Sequence, residues 1–219
     1  MRKLRLTFLA VVLMVATVAS AQFYFGVQGG INWSDFSVEN RGQIDERRSF
    51  GFVGFNVGLL AEYILSENRS IKSGLSFTTK RPEVVHLTQN RTESPETIFN
   101  LQYVQVPVNY VFRMKMLARG RRGGPIHSAV IFYGGPYFAY GVGGIKRIDD
   151  ERVGNGFHVF GNDAEQLKRF DFGLNLGIGK ELGHFLVRFG RYMGLANVSN
   201  RDDIRVRNRN STITVGYRF

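Results

Sequence analysis

Between Phe170 and Lys180 the chain reads F-D-F-G-L-N-L-G-I-G-K, with an apolar side chain at every second residue. Phe170, Phe172, Leu174, Leu176 and Ile178 share one face, and Asp171, Gly173, Asn175, Gly177 and Gly179 share the other. A period of two belongs to a β-strand. In a water-soluble sheet the polar face would be exposed and would usually carry long charged side chains. Here that face is nearly bare, which suits a crowded interior. The pattern predicts a closed barrel with lipid outside and a narrow polar lumen within.

The same alternation recurs along the chain. A first strand, Phe23 to Trp33, puts Phe25, Val27, Ile31 and Trp33 on one face and Gly26, Gln28, Gly30 and Asn32 on the other. Further strands are expected at 50–63, 71–80, 101–112, 129–142, 170–180, 185–195 and 211–219. In the fourth, Pro107 removes a ladder donor and calls for a bulge or a missing hydrogen bond. That makes eight strands, each near the ten or so residues that a tilted strand needs to cross a bilayer. Connections after strands 1, 3, 5 and 7 are long and polar, while those after 2 and 6 are short. The basic turn after strand 4, Met114 to Ser128, is the exception. Long loops on one side and short turns with both termini on the other are expected of an outer-membrane barrel. Outward aromatics near the strand ends (Phe25, Trp33, Tyr63, Tyr110, Phe112, Phe170 and Tyr217) supply interfacial girdles. The rival architecture, an exported sandwich or lipocalin-like barrel, would place the small polar faces outside.

Composition narrows the compartment. The 219 residues include no cysteine, 26 glycines and 19 phenylalanines, and 43% are hydrophobic. That is too apolar for disorder and too polar for a helical membrane protein. Arg2, Lys3 and Arg5 precede an apolar run from Leu6 to Val18, and Ala19-Ser20-Ala21 is an A-x-A cleavage site. Residues 1–21 therefore read as a secretory signal peptide, and 22–219 as the barrel domain. The apolar run is shorter than the roughly 20 residues of a membrane-spanning helix. Without Arg2, Lys3 and Arg5, the formal net charge of +11 becomes +8. An exported basic barrel meets outer-membrane lipid headgroups and lipopolysaccharide phosphates, and no nucleic acid.

With the strands placed, the chain resembles the PorT-type outer-membrane β-barrel family of Bacteroidetes. The resemblance lies in Gly29-Gly30-Ile31-Asn32-Trp33, Tyr103-Val104-Gln105-Val106-Pro107, Tyr133-Gly134-Gly135-Pro136-Tyr137, Phe170-Asp171-Phe172-Gly173 and Gly194-Leu195-Ala196-Asn197. It implies the barrel fold and the outer membrane. The family name comes from a member linked to protein secretion, so it also implies secretion-system components as a class of partner. It implies no catalytic residues.

Three sets of residues stand out. Glu62, Lys72, Asp171, Glu181, Arg188 and Arg218 fall on lumen faces and should pair as a charge network, because an unpaired buried charge is costly. Eight strands leave a lumen about filled by side chains, which favours a plug over a selectivity lining. Arg113, Lys115, Arg119, Arg121 and Arg122 cluster in the basic turn, either solvated or a periplasmic docking patch. Tyr217 and Phe219 end an alternating last strand, in the manner of the signal read by the outer-membrane assembly machinery.

Other signals are weaker. His86, His127, His158 and His184 have no metal-ligand spacing, and Gly177-Ile178-Gly179-Lys180 lacks the spacing of a phosphate loop. Neither metal nor cofactor is expected. Asp149-Asp150-Glu151 and Asp202-Asp203 are solvated loop charge or divalent-cation bridges to lipopolysaccharide. Without a recognisable Ser, His or Asp cluster, no enzymatic activity is expected. The sequence leads to a monomeric outer-membrane barrel with a structural or interaction role through its loops. The alternatives are a secretion or biogenesis factor acting through its periplasmic face, and a narrow pore.

Overall fold

The computed structural model describes residues 22–40, 43–45, 53–84, 97–119, 125–148, 151–153, 159–163, 166–201 and 204–219. The expected signal peptide lies outside them. In chain order the strands are β1 (Phe23–Asn40), β2 (Gln43–Asp45), β3 (Val53–Ser66), β4 (Arg69–Lys80), β5 (Glu83–Val84), β6 (Thr97–Arg119), β7 (Pro125–Ile148), β8 (Glu151–Val153), β9 (Phe170–Leu182), β10 (Phe185–Gly194) and β11 (Ile204–Arg218). Eight of them close a ring in the order β1-β3-β4-β6-β7-β9-β10-β11 and back to β1, every neighbour antiparallel. The short β2, β5 and β8 lengthen the hairpins at one end. Closure leaves none of these eight staves as an open sheet edge, as a hydrocarbon surround demands.

Both faces obey the alternation. On β9, Phe170, Phe172, Leu174, Leu176 and Ile178 are exposed on the outer wall, while Asp171, Gly173 and Asn175 are buried. The inward glycines make room for rings from β7. A Cβ at Gly177 would collide with the Tyr133 hydroxyl, and one at Gly173 would meet Tyr137. Tyr133 and Tyr137 are the bulk that those bare positions accommodate.

The ends of the barrel differ. At the turn end, β3 and β4 are joined across Glu67 and Asn68, and β9 and β10 across Gly183 and His184. Gly183 has φ +59°, the left-handed backbone that glycine adopts without a Cβ penalty. Both ends of the described chain, Gln22 and Phe219, lie here, where Ile64 N–H donates to the Gln22 carbonyl at 2.9 Å and Phe219 N–H to the Phe25 carbonyl at 2.8 Å. At the loop end, several staves run further than a bilayer needs. The outer face of β1 is apolar as far as Trp33 and then carries Asp35, Ser37 and Glu39, whose partners on β11 are Arg209, Arg207 and Arg205. The apolar band stops there.

Pro107 interrupts the wall on one side. The register between β4 and β6 passes from Ser73↔Val108 to Ser76↔Gln105, leaving Gly74 and Leu75 outside the pairing. Ser73 Oγ donates to the Pro107 carbonyl at 2.9 Å, and Ser76 Oγ to the Gln105 carbonyl at 3.3 Å. Between β6 and β7 a second gap, from Pro107↔Tyr137 to Tyr110↔Gly134, spans Pro136. Each gap falls at a residue without a backbone donor. A bulge also occurs, higher on the same pair, between Gln102 and Tyr103.

Candidate functional site

The lumen is stacked in layers, and the register sets their order. Nearest the turn end, Glu62 from β3, Lys72 from β4, Arg113 from β6 and Glu181 from β9 project inward from four neighbouring or facing staves. Arg113 pairs with Glu62 and, through Nε, with Glu181 at 2.8 Å. Lys72 Nζ lies 3.3 Å from Glu62 and 3.6 Å from Glu181. Ser70 Oγ donates to Glu62 at 2.5 Å and receives from Arg113 at 2.7 Å. Arg218, half-buried at the mouth, reaches Glu62 at 3.4 Å and stacks over Tyr24 at 4.9 Å. Arg188 belongs to none of these pairs. It donates to the Gln28 side-chain carbonyl and lies over the Tyr133 ring at 5.4 Å.

Asn109, Gln105, Asn175 and Asn56 are buried at the middle of the lumen. Above them sits a second ionic centre. Asp171 accepts from Lys80 Nζ at 3.3 Å, Tyr137 OH at 3.3 Å and Asn208 Nδ2 at 2.8 Å, and Lys80 lies 4.5 Å from the Tyr103 ring centre. All of these side chains are fully or nearly fully buried. Above this centre an apolar layer crosses the loop end. Phe36, Leu101, Tyr103, Tyr137 and Ala139 come from the staves, Val159, Phe160 and Leu167 from the β7–β9 connection, and Val198 from the β10–β11 connection. Phe160 packs edge-on to Tyr103 at 5.4 Å. Bridges Phe160↔Leu167 and Leu167↔Ser199 hold the connections together, and Asn200 Nδ2 donates to the carbonyls of Gly161, Asp163 and Gln166.

The six lumen charges expected from sequence thus face inward, but they form two centres and an outlier. Glu62, Lys72, Glu181 and Arg218 meet at the turn end, Asp171 stands apart with Lys80, and Arg188 bonds a neutral amide. The basic patch requires a correction at Arg113. The chain does not leave the strand at Phe112, so the inward parity of Gln105 and Asn109 carries Arg113 into the lumen, 6% exposed, between two carboxylates. Lys115 is exposed and holds Glu67 of the β3–β4 turn at 2.7 Å. That hydrogen bond and its charge keep the Glu67 carboxyl below the ordinary glutamate range. Arg119 ends β6, and Arg121 and Arg122 lie outside the described residues. Tyr217 and Phe219 face outward with ring centres 5.6 Å apart, and Tyr217 also meets Phe185 and His184. Arg113 and Lys80 are the charges that the sequence reading missed. The signal was the parity of their own strands, since Lys80 is in phase with Lys72 and Arg113 with Asn109.

Among the described residues no group of His, Asp and Glu is arranged to hold a metal ion. Eight antiparallel staves, apolar outside and ionic within, define an integral barrel protein of the outer membrane. The chain belongs to the outer membrane protein beta-barrel domain family, which it matches over residues 18–200. No curated protein matches it in sequence. Similar solved structures include Ail, the attachment invasion locus protein of Yersinia pestis, at 16% identity and TM-score 0.42 over 90% of this chain and 99% of that one. OprG from Pseudomonas aeruginosa shares 12% identity at TM-score 0.45 over 91% and 96%. Neisserial surface protein A shares 11% at 0.42 over 89% and 97%. These likenesses are distant, and no functional statement follows from them.

Proposed function

We propose that this protein is a sealed, non-enzymatic outer-membrane barrel that works by contact, through its loop-end connections and its turn-end rim. The observation that carries the reading is the apolar layer at the loop end, where Leu101, Tyr103, Tyr137 and Val198 are each 0% exposed. Ions crossing the lumen would have to break that layer and both ionic centres beneath it. This disfavours the narrow pore. Reconstitution into planar bilayers should give no resolved single-channel steps, and stable unitary openings would overturn the proposal.

A second reading is favoured by the length of β6, which runs on to Arg119 beyond its last pairing with β4 at Arg69↔Phe112. The β6–β7 hairpin so extended carries exposed Lys115 at the face that would meet the periplasm. The PorT-type resemblance makes a secretion or biogenesis component the partner class for this hairpin. On either reading the barrel is a monomer, its outer rim meets lipopolysaccharide, and Tyr217 and Phe219 present its last strand to the assembly machinery. Charge reversal at Arg119, Arg121 and Arg122 with unchanged crosslinks to secretion components would dispose of the hairpin as a docking site.

A further inference from the structure

The turn-end half of the lumen carries more positive charge than its carboxylates answer. Among the described residues Lys72, Arg113, Arg188 and Arg218 face Glu62 and Glu181, four cations against two carboxylates, whereas Lys80 and Asp171 balance above. Both carboxylates are already shared. Glu62 serves Lys72, Arg113 and Arg218, and Glu181 serves Arg113 and Lys72. Lys72 is held only at 3.3 and 3.6 Å, with the like charges Arg113 and Arg188 acting on it. Arg188 meets only the neutral Gln28 amide and the Tyr133 ring, and its buried Nε finds no acceptor among the described residues. Lys72 and Arg113 are buried and Arg188 and Arg218 partly so, and excess charge of one sign is costly to the extent that it is buried unless a counter-ion or water answers it.

A small cavity of about 10 Å³ lies beside this excess. Lys72, Glu181, Arg218 and His184 line it with Leu60 and Leu186. Its size admits a body of about one water. His184 is turned aside, its Nδ1 2.8 Å from the Arg218 carbonyl oxygen. Glu181 opposes an anion there, but its oxygens are engaged by Arg113 at 2.8 and 3.1 Å.

We infer that this cavity binds a small monovalent anion of the halide class, held by Lys72 and Arg218 in the positive field of Arg188. The volume selects a halide over phosphate or sulfate, and the turn-end mouth between β9–β10 and β11 is its entry. The site stabilises the closed barrel and transports nothing, because the apolar layer closes the far end.

The test is thermal unfolding of the full barrel in detergent, in sodium chloride against sodium gluconate at equal ionic strength, with sodium sulfate as a third arm. The midpoint should rise saturably with chloride and not with gluconate or sulfate. Equal midpoints in all three salts would overturn the site, and a rise with sulfate alone would overturn its halide selectivity. Arg188→Gln with Arg218→Gln removes the excess while leaving Glu62 and Glu181 paired to Lys72 and Arg113. That variant should lose the chloride response. If it does not fold, bromide-soaked crystals of the unaltered protein decide: an anomalous peak beside Lys72 supports the site, and its absence contradicts it.

Discussion

Glu62 gathers the turn-end centre, because Lys72, Arg113, Ser70 and Arg218 all converge on its two oxygens. Removing its charge leaves buried cations without an answer, and breaking such a pair costs about 3–5 kcal/mol. Glu62→Gln should therefore lower unfolding stability by about that amount in a denaturant titration monitored in detergent micelles. Glu67→Gln, which breaks an exposed pair between the β3–β4 turn and Lys115 of β6, should leave the midpoint unchanged. Legibility at this scale followed parity. Glu62, Lys72, Asp171 and Glu181 were placed by counting from an apolar neighbour. Ending the fourth strand at Phe112, seven residues short of Arg119, puts Arg113 in a turn, whereas the inward parity of Asn109 carries on to it.

Elements longer than the membrane explain much of what the sequence concealed. β6 and β7 are 23 and 24 residues long, where about ten tilted residues cross the hydrocarbon. At its loop end β6 turns Asn100 and Gln102 outward and loses the lipid-facing alternation, whereas at its turn end Met114 and Met116 continue it among basic residues. Val159, Phe160, Leu167 and Val198, which close the loop end, are apolar residues in polar segments with no period to betray them. The weak stretch of the wall was more accessible, since Pro107 announces a missing donor. With Pro136 beside it, β6 loses its β4 partner at Val106 and Pro107 and its β7 partner at Val108 and Asn109. Its amides there should exchange with deuterium faster than those of Tyr103 and Val111 on the same strand, as resolved by NMR in micelles. Uniform protection along β6 would contradict the two gaps.

For the whole molecule, fold and compartment were legible because one physical rule, the alternation between lipid and lumen, governs every stave. Function was less legible, since the lumen holds structural ion pairs and the contact surfaces lie where that rule lapses. The architecture rests on hydrocarbon wetting the phenylalanine-rich wall while the glycines and ions face inward. The direct measurement is NMR of the protein in lipid nanodiscs, reading cross-relaxation between side chains of Phe170 to Lys180 and acyl-chain protons. Contacts should appear at Phe172, Leu174, Leu176 and Ile178 and be missing at Asp171, Gly173, Asn175 and Gly177. Acyl-chain contacts on both faces, or on neither, would contradict the barrel.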